Sequence, residues 1–320
     1  MSRRTLWAWA RLAGPVLVLA VLVWRLGTGP FLAGLRSVDG SALAAAAGIA
    51  AITTVCCAWR WKIVARGLDV ELPLSAAVAA YYRSQFLNVT LPGGIVGDVH
   101  RGVSHGRAAG DVGRGLRGVA WERCAGQFVQ AVLTVVALLL LPSPVHSSMP
   151  FVAAGIVIAL LAVALVAKAR PAGGRSVLAR VRTAITRDVR DALLARRAWA
   201  AIALTSALVV VGHAITFMIA ARTAGAPAAP SVMLPLALIA MTGMVLPSAA
   251  GWGPREGVTA WAFGAAGLGA QRGVTTAVVY GVMVFVACLP GAVVLVVAWF
   301  RRIRLPQRSQ PQLRESPLHA

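Results

Sequence analysis

The sequence predicts an all-α polytopic membrane protein, with about six full spans and two re-entrant hairpins arranged as an inverted-topology repeat. Three observations carry this. Hydrophobic residues make up 58 % of the 320 residues and charged residues 13 %, with a mean hydropathy of +0.76. A soluble domain carries about 25 % charged residues. Several apolar runs approach or exceed the roughly 20 residues that cross a bilayer, and the alternating ten-residue strands of a β-barrel are absent. Two Pro/Gly-rich stretches, Leu91-Pro-Gly-Gly-Ile-Val-Gly-Asp-Val-His-Arg-Gly102 and Leu246-Pro-Ser-Ala-Ala-Gly-Trp-Gly-Pro-Arg-Glu-Gly257, interrupt apolar sequence in the two halves. Paired interruptions of this kind mark transporter repeats and point to their binding site.

Taken in order, span one covers about 12–26, with Trp7, Trp9 and Trp24 as interfacial anchors. Arg3, Arg4 and Arg11 precede it as in a signal peptide, but no small-x-small cleavage site follows Leu26, so an uncleaved helix is expected. A loop bearing Arg36 and Asp39 leads to span two, about 41–59, whose small residues permit close helix contact. Residues 74–105 form the first hairpin. It enters and leaves on one side, because the segment with Asp98, His100, Arg101, His105 and Arg107 is too polar to face lipid. Span three covers about 119–141, span four about 151–167 and span five about 199–221. The second hairpin occupies 232–267, and span six runs 274–300 with a kink at Pro290-Gly291. The tail 301–320 is polar and expected to be disordered.

Charge placement orients the chain. With the N-terminus in the cytoplasm, inside segments 1–11, 60–73, 98–118, 168–198 and 301–320 hold 24 Lys/Arg against 3 in the outside loops. Both termini are therefore expected inside a bacterial cytoplasmic membrane. The net charge of +21 reads as this bias rather than as a nucleic-acid surface. On this topology the first hairpin enters from the cytoplasm and the second from outside. One transmembrane domain, 1–300, then divides into repeats of about 1–150 and 151–300, with the two loops meeting near the midplane. Within 168–198, Leu178, Val181, Ile185, Val189 and Leu193 recur at helical spacing among arginines. That pattern fits a basic amphipathic helix on anionic inner-leaflet lipids, or a solvated cytoplasmic hairpin.

Candidate site residues lie in and beside the two loops. Arg255 and Glu256 sit in an apolar context, where a charge needs a task or a partner. Gly251, Gly253 and Gly257 let backbone approach a ligand, and a helix N-terminus with an arginine suits a phosphate. Either Arg255 meets a lipid phosphate while Glu256 orients it or binds a proton, or the two charges lock the hairpin. Trp252 either covers the loop or stacks on a ligand. In the first hairpin Asp98, His100 and Arg101 are the counterpart, with Gly94 and Gly97 in the loop and Asn88 and Thr90 as capping or lining groups; the other reading leaves these charges in cytoplasmic water. Glu122 and Arg123 open span three, and Arg123, Gln127, Gln130 and Thr134 share one helix face, which suits a polar groove wall or a snorkelling charge pair. His213, mid-span beside Thr216, reads as a hydrogen-bonded packing residue, with a proton relay as the alternative. Cys56, Cys57, Cys124 and Cys288 have no metal-ligand spacing and read as small apolar residues. No nucleophile elbow, metal cluster, Walker loop or dinucleotide fingerprint is present, so neither an enzyme nor a cofactor is expected.

At these residues the chain resembles the lysylphosphatidylglycerol synthase transmembrane-region family, the flippase-like membrane proteins. Leu91-Pro-Gly-Gly-Ile-Val-Gly-Asp with Arg101, Glu122-Arg123, and Leu246-Pro through Gly-Trp-Gly-Pro-Arg-Glu-Gly257 carry the resemblance, which covers about 10–300. His100 and His105 have no place in the family pattern. The resemblance implies a region that moves aminoacylated phospholipid between leaflets. The soluble domain that makes the aminoacyl lipid is not seen here, which implies a stand-alone member. The expected activity is translocation of an anionic or aminoacylated phospholipid or a polyprenyl-linked lipid. The alternatives are a non-transporting scaffold that partners an envelope-biosynthesis enzyme, and an enzyme acting on lipid-phosphate headgroups.

Overall fold

A computed structural model describes residues 3–145 and 198–304, together with isolated positions 154, 155, 157, 158, 161, 165 and 187–189. Most of span four, most of the segment 168–198 and the tail beyond 304 lie outside the described residues.

The first helix, α1 (Arg3–Leu26), ends at Gly27 with φ 73°. The chain then turns by 99° into α2 (Gly29–Ser37). This corrects the expected loop: Pro30 at the helix start has its φ preset and loses no hydrogen bond there. Asp39 caps α3 (Gly40–Gly67) by accepting from Ala42 N–H at 2.7 Å. That helix is longer than the predicted span two and continues past Arg60.

Next come α4 (Leu74–Thr90) and α5 (Val96–Ala108), packed on each other as the expected first hairpin. Asp111 caps α6 (Val112–Leu140) at Arg114 N–H, so span three begins several residues earlier than predicted. The second half holds α7 (Ala198–Thr223), then α8 (Pro230–Gly243) and α9 (Pro254–Ala265), which pack on each other as the second hairpin. Last are α10 (Ala270–Ala287) and α11 (Pro290–Arg304), with the break at the predicted proline. The final helix runs through Arg304, so the first residues assigned to the tail are helical.

Among the described residues, four helical stretches are long and apolar enough to cross a membrane: Gly40–Gly67, Val112–Leu140, Ala198–Thr223 and Ala270–Phe300. The bent pair Pro15–Leu26 and Gly29–Ser37 makes a fifth if it counts as one span. The chain is a multi-pass helical membrane protein.

Helices α3 and α7 pack side by side, and Thr53 and Ile49 stand where a side chain on Gly212 would be. Helix α3 touches α4 and α10, and α7 touches α8 and α6. The second arm of each hairpin packs on the span that follows it, α5 on α6 and α9 on α10. One apolar core, with Phe217, Leu236, Phe263, Tyr280 and Met283, fills the space between α7, α8, α9 and α10. A second, built on Trp61, Ala77, Tyr81 and Val119, joins α3, α4 and α6.

Candidate functional site

An ion network forms where α5 and α6 meet α3 and α4. Glu122, 0 % exposed, is its centre. Its Oε1 accepts from Arg60 Nε at 3.0 Å and Nη2 at 2.5 Å, and from the Tyr81 hydroxyl at 2.9 Å. Its Oε2 accepts from Arg101 Nη2 at 2.7 Å. Arg60 also donates to the Ser206 hydroxyl of α7 at 2.9 Å. Four helices are thus tied to one carboxylate, because a buried ion is tolerated only when its lone pairs and protons find partners.

Asp98 is the second anion. It accepts from Arg101 Nε at 3.0 Å, Arg123 Nη2 at 2.7 Å, the Ser84 hydroxyl at 3.0 Å and Asn88 Nδ2 at 3.1 Å. The Asn88 carbonyl in turn accepts Gly97 N–H at 2.8 Å, so α4 supplies the cap that the first turn of α5 lacks. A Cβ on Gly97 would collide with the Ser84 backbone, which fixes glycine where the two arms touch. The Arg101 guanidinium lies over the rings of Tyr81 at 4.1 Å and Trp61 at 4.6 Å. Stacking of this kind holds a desolvated cation.

The second hairpin is closed differently. Glu256, also 0 % exposed, reaches back from the first turn of α9 and accepts Gly253 N–H at 2.7 Å. Its other oxygen takes Arg255 Nε at 3.0 Å and also Arg255 Nη2. The Arg255 guanidinium faces Trp252 and Tyr280 at 5.6 and 5.5 Å, and the missing side chain of Gly281 leaves it room. Gly253 has φ 116° and abuts the Pro15 backbone, so α1 closes on this turn only over a glycine. The His213 ring nitrogen Nδ1 pairs with the Tyr280 hydroxyl at 2.8 Å. Trp252 packs with Leu22, Phe31 and Val278.

The two Pro/Gly loops touch each other. Gly93 N–H donates to Ser248 O at 2.9 Å, Gly94 faces the Ser248 hydroxyl, and Gly251 faces Val89.

The expected residues therefore fall into two groups. Asp98, Arg101, Glu122 and Arg123 share one network, with Gly97 beneath it. Arg255, Glu256, Gly253 and Trp252 form the other, and Gly94 and Gly251 stand at the contact between the loops. Gln127 is exposed on α6 and takes no part in the ion pairs, while Thr134 on the same predicted stripe is buried. Arg60 and Arg101, counted among cytoplasmic charges, are 4 % and 1 % exposed. The carboxylates of Glu122 and Asp98 draw them inside, so these two do not report topology, and the aqueous reading of Arg101 is excluded. Arg60, Trp61, Tyr81, Ser84 and Ser206 are network members that sequence reasoning missed. Arg60 alone carried a signal, a charge continuing an apolar helix. Cys124 is exposed whereas Cys56, Cys57 and Cys288 are buried. Among the described residues no group of three or more His, Cys, Asp or Glu stands close enough to hold a metal ion.

Asp188 lies outside both groups. It accepts from Arg117 Nε at 2.9 Å and Trp121 Nε1 at 3.0 Å, so one point of the basic segment is pinned to α6.

No curated protein matches the chain in a comparison of sequences. A family model does match, that of the lysylphosphatidylglycerol synthase TM region, over residues 8–304. The match spans both hairpins and both charge groups, and the chain belongs to the lysylphosphatidylglycerol synthase transmembrane-region family.

Proposed function

We propose that this protein is a lipid translocator of the bacterial cytoplasmic membrane and not an enzyme. It moves an anionic or aminoacylated phospholipid, or a polyprenyl-linked lipid, between leaflets. The observation that carries this reading is the direct contact of the two Pro/Gly loops through Gly93 and Ser248, with a buried arginine–carboxylate group behind each. Non-helical backbone of this kind inside a membrane protein belongs where it is enclosed by protein or lines a polar path.

The same reading has six spans and two re-entrant hairpins, in inverted repeats of about 1–150 and 151–300, with both termini cytoplasmic. Packing supports the repeat. Exchanging α3 with α7, the first hairpin with the second, and α6 with α10 turns each contact of one half into a contact of the other. Alternating access then comes from rocking one repeat against the other across the Gly93–Ser248 contact.

The test is leaflet exchange in liposomes containing the purified chain, with headgroup-labelled anionic and zwitterionic lipids quenched from outside. Arg255→Ala and Glu256→Gln are compared with the wild type, each checked by gel filtration and thermal midpoint because both side chains are buried. Exchange by the wild type that a folded Glu256→Gln variant loses is the expected outcome. No exchange of any phospholipid or polyprenyl lipid would overturn the proposal.

A further inference from the structure

The two charge groups are unequal, and the inequality identifies a ligand. Arg255 and Glu256 cancel. Among the described residues the only carboxylates paired with Arg60, Arg101 and Arg123 are Glu122 and Asp98, which leaves one net positive charge in the first network. Among the described residues, Arg101 Nη1 and Arg123 Nε find no hydrogen-bond acceptor, so the two carboxylates do not saturate the three guanidiniums. A net positive charge in a largely desolvated network attracts a counter-anion wherever one of its cations can be reached. Only one of the three cations can be reached. The side chains of Arg60 and Arg101 are 5 % and 0 % exposed, whereas that of Arg123 is 39 % exposed. Arg255, the candidate phosphate contact in one of the two readings of the sequence, is 8 % exposed and taken up by Glu256.

We propose that the ion network of the first hairpin binds a single phosphate monoanion, a phosphodiester headgroup or free phosphate, docked on the accessible side of Arg123. A guanidinium is suited to this, since its planar donors match phosphate oxygens and keep their charge. The ligand brings the network to neutrality without entering the space held by Arg101 and its two rings. The proposal deepens the translocator reading by naming the headgroup chemistry and moving the recognition residue from Arg255 to Arg123.

The test is equilibrium binding to the full chain in neutral detergent, by titration calorimetry. The probes are dihexanoyl phosphatidylglycerol, inorganic phosphate and, as an uncharged control, dihexanoylglycerol. Arg123→Gln is expected to weaken phosphodiester binding by about tenfold or more, the size of one charge-assisted contact. Asp98→Asn adds a second surplus charge and frees Arg123, so it is expected to tighten binding; a merely damaged protein does not gain affinity. Phosphodiester binding without phosphate binding assigns the site to a lipid headgroup, and equal binding of both assigns it to phosphate itself. Unchanged affinity in Arg123→Gln, weaker binding in Asp98→Asn, or equal binding of the uncharged control would each overturn the proposal. Leaflet exchange is scored separately: a chain that translocates but fails these titrations loses the Arg123 site and keeps its transport.

Discussion

Glu122→Gln is the most informative single change. The carboxylate is fully buried and accepts four hydrogen bonds, two from Arg60 and one each from Tyr81 and Arg101. The amide keeps the shape and removes the charge. Arg101 retains Asp98, but Arg60 keeps no anionic partner among the described residues, only neutral acceptors: the new amide oxygen, the Ser206 hydroxyl and the Cys57 sulfur. The network's surplus rises from one positive charge to two. Removing one partner of a buried ion pair costs about 3–5 kcal/mol. Glu122→Gln is therefore expected to lower the unfolding free energy by about that amount. Arg60→Met removes the stranded cation, so the double variant is expected to recover at least about 2 kcal/mol relative to the sum of the single changes. Unfolding in mixed micelles, followed by tryptophan fluorescence, measures all four corners of the cycle; Trp61 sits against Arg101 and reports locally. A Glu122→Gln protein within about 0.5 kcal/mol of the wild type, the range of an ordinary surface change, would refute the reasoning. So would strict additivity in the double variant.

Two further outcomes follow from local geometry. Gly97→Ala drives a Cβ into the Ser84 backbone and forces α4 and α5 apart, with an expected cost of about 1–3 kcal/mol and a lower thermal midpoint. An unchanged midpoint would show that the hairpin arms are not in contact there. The Ala42 N–H and then the Ser41 hydroxyl hold the Asp39 carboxyl below its ordinary range at the start of α3. A depressed pKa stabilises the fold above the unfolded-state value and is lost as pH falls through the folded-state one. Hydrogen exchange in the first turn of α3 is therefore expected to accelerate below about pH 4, with Asp39→Ala removing the pH dependence.

Much of the architecture is one-dimensional information. Whether a segment crosses a membrane depends on its own length and apolarity, so the helices α3, α6, α7 and the α10–α11 pair follow from local composition. Helix interruption is equally local: Pro92-Gly93-Gly94 and Pro247 through Pro254 cannot continue a helix, and both hairpins were readable from them. The family motifs likewise picked out Asp98, Arg101, Glu122, Arg123, Arg255 and Glu256. Boundaries were less legible. The α2 helix lay hidden in a stretch read as a loop, because nine residues with one proline and two glycines carry little periodic signal.

Pairing was decided only in three dimensions. An arginine at the end of an apolar helix reads as a topology signal until its neighbours are known, and Arg60 became a buried ligand of Glu122 because α6 brings a carboxylate to it. The same encounter set the charge balance of each hairpin. Arg255 and Glu256 are adjacent in sequence and neutralise each other, whereas three arginines from α3, α5 and α6 converge on two carboxylates from α5 and α6. Composition determined that the chain is a helical membrane protein and where its helices break. The tertiary structure decided which charges cancel and which one remains accessible, because an ion's partner depends on distances between segments that no local pattern encodes.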